Sequence, residues 1–294
     1  MSPRIRGILP AAITPFNDDL SINMKALTSF YAELLDDGCD GIVSMGTTSE
    51  ANSLAFAERL AVMEAVEKAG LSPRTIVGVG CCNLPETVRL AKTAYQTGAA
   101  GVLVMPPFFY RDVSQEGIFA SYAHTIEMIG AEQLPFYIYD FPKMSGIDVA
   151  LETIIRLREA FPGIIAGLKN SSGDFEEMKR QCAALEDFDV FSGTEEYLLA
   201  GLREGFAGSI SATFNLFAKE GAAVMQNWQG PKADALQEKL TVKRRTVAAY
   251  PLFPAAKGLI ARRKGEKSWA NIRPPQMPLG EEVIAELERK LAGI

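Results

Sequence analysis

Eight short, almost continuously apolar runs recur along the chain, each separated from the next by a longer amphipathic stretch. They are GILPAAIT at 7–14, GIVSMG at 41–46, TIVGVG at 75–80, GVLVMPP at 101–107, PFYIYD at 135–140, IIAGLKN at 164–170, DVFSG at 189–193 and GSISA at 208–212. Gly, Pro or polar residues bound each run. That is the pattern of parallel strands covered on both faces. Between them, residues 24–37 place Leu27, Phe30, Tyr31 and Leu34 on one helical face. Residues 56–68, 84–96, 115–129, 149–160, 175–185 and 195–204 repeat that period. Gly38, Gly70, Gly98 and Gly205 stand where helix C-termini are expected. Eight strand–helix units predict an α/β fold, a (β/α)8 TIM barrel. A doubly wound sheet usually has fewer strands and a glycine-rich turn after the first, where this chain has ITPFNDDL. GVGCCN at 78–83 has two of the three glycines of a dinucleotide fingerprint, but in the third unit.

The barrel is expected over 1–228, its eighth helix ending near Trp228. Residues 229–294 contain three more helical patterns, QGPKADALQEKL, LFPAAKGLIARRKG and GEEVIAELERKLAGI. They are too few for a core of their own and should pack on the barrel as a C-terminal helical appendix. The charged segments RRTV and ARRKGEK read as solvated helix faces.

Composition narrows the function. With 48% hydrophobic residues in 294, disorder is excluded and one large core is affordable. Thirty Lys+Arg against 36 Asp+Glu leave a net charge of −6, which disfavours nucleic acid as a partner. Small anionic substrates would need local positive charge. No apolar run is long enough to cross a membrane. The opening MSPRIRGILPAAITPF is broken by prolines and makes a poor signal peptide. Cys39, Cys81, Cys82 and Cys182 form no CxxC pair, so the chain reads as a reduced, cytoplasmic protein without a metal site. The lone His124, mid-helix in YAHTIEM, cannot supply the histidine cluster of a metal-dependent aldolase.

In such a barrel the active site forms at the C-terminal ends of the strands. Lys169 ends the sixth apolar run, with no other charge nearby in the strand. Desolvation there disfavours the ammonium, and a neutral amine can attack a carbonyl to form a Schiff base. A lysine snorkelling to solvent is the alternative. Tyr139 ends the preceding run and can relay protons, or is an amphipathic core tyrosine. Thr47 and Thr48 follow Gly46, where hydroxyls and amides can hold a carboxylate; alternatively they cap the chain, with Glu50 as capping-box partner of Thr47. Together these suggest a carboxylate clamp, a carbonyl trap and a proton relay, the requirements of a 2-keto acid. Cys81 and Cys82 end the third run and read as pocket-lining or small buried thiols. Asp140 reads as a loop-orienting group.

GTTSE after run two, YDFP after run five and GLKNSSGD after run six resemble the N-acetylneuraminate lyase and dihydrodipicolinate synthase family. AAITPF, GVLVMPPFFY with SQEG, and GSISATFN extend the resemblance from about residue 7 to about residue 280. It implies that Lys169 forms the imine, Tyr139 shuttles the proton, Thr47 lies in the relay and Thr48 with its neighbour Ser49 binds the carboxylate. It implies Gly193 and Ile210 as pocket residues, no metal or organic cofactor, and a homotetramer or homodimer. Two departures stand out. Met144 holds the place of the arginine that binds the second substrate in the synthase; Lys143, one residue earlier on an extended segment, is expected to point elsewhere. Phe109 aligns with the tyrosine reached from a neighbouring subunit, and Tyr110 substitutes only if the loop shifts by one residue. Both departures leave the Schiff-base apparatus intact. The reading is a Schiff-base lyase or aldolase that cleaves or dehydrates a sugar-derived 2-keto-3-deoxy acid, with pyruvate as product or substrate. The alternatives are the synthase of lysine biosynthesis, with Lys143 or Arg111 replacing the guanidinium, and a non-catalytic keto-acid-binding relative.

Overall fold

The computed structural model describes residues 4–130 and 134–294, so the first three residues of the expected barrel segment lie outside the described residues. The strands and helices alternate as β1 (Gly7–Pro10), α1 (Met24–Asp36), β2 (Ile42–Ser44), α2 (Phe56–Lys68), β3 (Thr75–Gly78), α3 (Leu84–Gln96), β4 (Gly101–Val104) and α4 (Gln115–Ile129). Then come β5 (Phe136–Asp140), the single turn α5 (Pro142–Ser145), α6 (Leu151–Ala160), β6 (Ile165–Asn170), α7 (Phe175–Ala184), β7 (Asp189–Ser192), α8 (Leu198–Arg203), β8 (Gly208–Ser211) and α9 (Phe214–Asn227). Every strand pair is parallel, in the order β1-β8-β7-β6-β5-β4-β3-β2. A bridge from Ala11 to Val43, with the Ala12 amide donating to Val43 O at 2.9 Å, closes the ring between β1 and β2. This is a TIM barrel.

The strands are shorter than the apolar runs because the runs continue into the loops. Pro106 and Pro107 carry no amide hydrogen and cannot extend β4. Gly70 and Gly98 follow α2 and α3 with φ of +72°, a left-handed turn that a side chain would strain. Two differences from the expected helices concern the site. The stretch after β5 coils into α5 before α6 begins. The expected helix at 195–204 starts as a tight 3₁₀ turn over Glu195–Tyr197.

Alternation along the strands divides the core into two layers. On β5, Phe136 and Ile138 pack outward beneath the helices, while Tyr137 and Tyr139 point into the barrel with Leu9, Val43, Ile76, Leu103 and Phe191. On β6, Ile165 and Leu168 belong to the outer layer and Ala166 to the inner one. The register shifts here, Phe136 pairing with Ile165 but Tyr137 with Gly167. That bulge lets Ala166 and Lys169, three residues apart, both face inward.

Three further helices follow, α10 (Ala233–Ala248), α11 (Leu252–Lys264) and α12 (Glu281–Ala292). The appendix is bolted to the loop after β2. Lys257 on α11 is fully buried and pairs with Glu50, whose second carboxylate oxygen accepts the Arg273 amide at 3.0 Å. Glu50 is therefore not the capping-box partner of Thr47: its backbone is left-handed (φ 59°) and its carboxylate points to the appendix.

Candidate active site

A cavity of about 720 Å³ lies at the C-terminal ends of the strands, within the ~300–1,000 Å³ range of ligand clefts. Lys169 and Tyr139 are register partners on β6 and β5 and both line it. The Lys169 ammonium donates to Tyr139 Oη at 3.2 Å and lies 4.3 Å from the ring centroid. Tyr139 Oη is 3.4 Å from Thr47 Oγ1. Lys169 is 6% exposed and Tyr139 4%. The arrangement therefore places an amine, a phenol and a hydroxyl in one chain at the cavity wall. Asn170 fixes the next turn: its amide donates to Glu177 and Gln181 at 3.0 Å each, and its carbonyl accepts the Ser172 amide at 2.8 Å.

Of the other expected site residues, Thr48, Met144, Gly193 and Ile210 line the cavity. Ser49 does not. It is buried, donating its hydroxyl to Ala12 O and accepting the Gly46 amide at 3.2 Å, and so ties the loop after β2 to β1. Phe109 and Tyr110 do not line the cavity of their own chain either. They are 74% and 71% exposed and stack edge to face at 5.4 Å. Cys81 packs against the Arg59 guanidinium at 3.0 Å, with burial pushing its thiol pKa up, and Cys82 is exposed. His124 is an exposed residue on α4. Asp140 is fully buried with neither carboxylate oxygen hydrogen-bonded among the described residues. Burial, then the neighbouring Asp148 and Glu177, push its pKa up to about 8.

The cavity also has walls that the sequence reading missed. Lys143 lines it beside Met144, because Pro142–Ser145 coils into a helical turn instead of running extended. Arg244, read as part of a solvated face, lines it too and is only 15% exposed. The turn at Pro251–Pro254 and Gln276 complete the rim. The appendix is thus part of the site.

A closed parallel barrel with a buried lysine at the end of its sixth strand, against a tyrosine from the fifth, has the build of a class I aldolase or lyase, which works through a lysine imine rather than a metal. Residues 4–293 match the dihydrodipicolinate synthetase family. An uncharacterized DapA-like lyase of Chloroflexus aurantiacus is 30% identical over 294 residues, covering 98% of each chain. A 4-hydroxy-tetrahydrodipicolinate synthase of Agrobacterium fabrum is 31% identical over 98% of this chain and 99% of that one. The crystal structure of dihydrodipicolinate synthase from Agrobacterium tumefaciens superposes with a TM-score of 0.90 at 27% identity, covering 98% of each chain. The chain belongs to the dihydrodipicolinate synthetase family and is a pyruvate-dependent enzyme of lyase or aldolase type.

Proposed function

We propose that this enzyme cleaves or dehydrates a sugar-derived 2-keto-3-deoxy acid through an imine on Lys169, with pyruvate as product or substrate. The contact of Lys169 Nζ with Tyr139 Oη at 3.2 Å carries the reading. The lysine amine adds to the C2 carbonyl, and the carbinolamine loses water to form an iminium. In the cleavage direction Tyr139 takes the proton of the C4 hydroxyl as it passes its own to Thr47, and the C3–C4 bond breaks. The electron pair moves into the iminium to give an enamine, and the aldehyde leaves. The proton returns through Thr47 and Tyr139 to C3, and hydrolysis of the resulting iminium by water releases pyruvate and restores the amine. Thr47 passes the proton between Tyr139 and its surroundings, and Thr48 with neighbouring amides holds the C1 carboxylate. The acting form is a homodimer or homotetramer, in which the exposed Phe109–Tyr110 pair is available to a neighbouring subunit.

Met144 supports a sugar acid over aspartate semialdehyde as the second substrate, since a thioether cannot make a bidentate charged contact. A second reading, the synthase of the named relatives, is favoured by Lys143, which lines the cavity and supplies a point charge near the place of the missing guanidinium. Arg111 is less suited, because it packs over Gly146 and is exposed.

Incubation with pyruvate and borohydride, then peptide mapping, tests the chemistry. A reduced pyruvyl adduct confined to Lys169 and lost in Lys169→Ala is expected. A folded protein that forms no adduct would defeat the reading. Pyruvate release from a panel of keto-deoxy acids, set against condensation with aspartate semialdehyde, separates the two substrates.

A further inference from the structure

One wall of the cavity holds a guanidinium with unpaired donors. On α10, Leu240 and Val247 are fully buried and Arg244 falls between them at helical spacing, so it is turned inward on the apolar stripe. Its Nε and Nη1 atoms are buried and make no hydrogen bond among the described residues. A guanidinium has five donors in a planar fork, and leaving buried donors unpaired is costly. The nearest anion is Glu195, whose Oε2 is 3.5 Å from Nε, too long for a good hydrogen bond. Glu195 is itself fixed to the wall, taking the Ser211 hydroxyl from β8 and, at its carbonyl, the Gln237 amide at 2.9 Å. It balances the guanidinium's charge without a hydrogen bond to it, and its own Oε1 is likewise buried without a partner among the described residues.

The charge balance of the cavity points the same way. Lys143, Lys169 and Arg244 line it, against Glu196, which is paired with Arg245 at 2.7 Å, and Glu195 lies behind Arg244 at 3.5 Å. The lining is therefore net positive in a chain whose net charge is −6.

We infer that Arg244 is a specificity-determining residue that binds a second carboxylate, carried at the end of the substrate far from the keto group. The substrate class is then a 2-keto diacid, a sugar-derived keto-deoxy acid with a carboxylate at both ends. This rests on the Schiff-base reading, with Lys169 taking the keto carbon. With Nε and Nη1 buried, Nη2 is the donor left to face the cavity, and it offers a carboxylate a charge-assisted hydrogen bond from a guanidinium that Glu195 backs.

The test is borohydride trapping on Lys169 with pairs of 2-keto acids of equal length. 2-Oxoglutarate is set against 2-oxopentanoate, and 2-oxoadipate against 2-oxohexanoate, with pyruvate as control. The readout is the ratio of half-saturating concentrations, diacid over monoacid, in the wild-type enzyme and in Arg244→Met. Loss of a charge-assisted pair should raise that ratio about tenfold or more for at least one pair of acids, and Arg244→Lys should fall between. Because Arg244→Met strands Glu195, the same ratio is read in Glu195→Gln/Arg244→Met, which removes both charges together. A residue that only balanced Glu195 would move both acids equally. A pyruvate adduct with unchanged ratios overturns the inference alone. Absence of any Lys169 adduct, pyruvate included, overturns the Schiff-base reading and this inference with it.

Discussion

Replacing Lys257 with methionine should cost the fold about 3–5 kcal/mol, because it leaves Glu50 as a buried charge without a cation. The side chains of Lys257 and Glu50 are 0% and 1% exposed. The ammonium has three contacts: Glu50, Asn271 O at 2.8 Å and the Phe16 ring at 4.3 Å. Burial pushes the Lys257 pKa down to about 8, against the pull of Glu50. Desolvation thus offsets much of the attraction, and the pair is worth little against an apolar replacement even though either partner alone is expensive. Glu50→Gln/Lys257→Met should therefore recover most of the loss. Urea unfolding reads the energies directly. At about 2–4 °C per kcal/mol, the single variant should melt roughly 6–20 °C lower. The pH dependence gives an independent sign. With a folded value near 8 and an ordinary value of 10.5, the unfolded chain binds more protons between the two, so stability rises over that window as pH climbs. Lys257→Met should lose that rise. Additive losses in the double variant would refute the account, since they would mean that Glu50 and Lys257 do not depend on each other.

Tyr139→Phe should still yield a trapped pyruvate adduct on Lys169 but lower turnover by about 10²–10⁴-fold, the usual worth of a positioned acid–base group; full turnover in a coupled assay would remove Tyr139 from the proton path. Asp140→Asn should stabilise the enzyme at pH 8–9 and do little near pH 4. The folded pKa of about 8 exceeds the ordinary 3.8, so the folded state binds the extra proton and stability falls as pH rises through that window. Parallel melting curves for the two proteins from pH 4 to 9 would show that Asp140 does not titrate as argued. Gly193→Ala puts a Cβ 2.1 Å from Ser171 Oγ and 2.9 Å from its Cα. The loop after Lys169 must shift, costing about 1–3 kcal/mol and weakening pyruvate trapping; an unchanged melting point and trapping curve would show that the loop yields freely.

The barrel and the heart of its site were legible because each depended on a short-range rule. A lone charge closing an apolar strand marks the barrel mouth, and Tyr139 stands at the same place one strand earlier, so the pair could be found without knowing the sheet order. Thr47 and Thr48 followed from the same rule on β2. What stayed hidden depended on exceptions to periodicity or on distance along the chain. The bulge between Ile165 and Gly167 resets which residues of β6 face inward. A strict alternation from Ala166 would have turned Lys169 outward, and nothing in IIAGLKN announces the extra residue except Gly167, whose added Cβ would sit 2.1 Å from Asp189 O. Ser49 was read as a ligand group together with Thr48, yet it spends its hydroxyl on Ala12 O, just beyond β1.

Lys143 and Arg244 were misplaced for a different reason, and in both cases the correcting signal was present. Pro142 at a first helical position and Gly146 with φ of +69° at the end make PKMSG a closed helical turn. In a turn, unlike a strand, adjacent residues can both border one concavity. Arg244 lies four residues after Leu240 and three before Val247, on the apolar stripe of its own helix. A charge on such a stripe is either paired in the core or turned toward a cavity. Reading RRTV as a single charge run averaged over two helical faces. Arg245 does lie on the solvated one, and Arg244 does not. The contact between Lys169 and Tyr139 is therefore set by strand ends, whereas the other cationic walls of the cavity come from α5 and α10. On those helices composition is uninformative, and the angular position of each side chain decides.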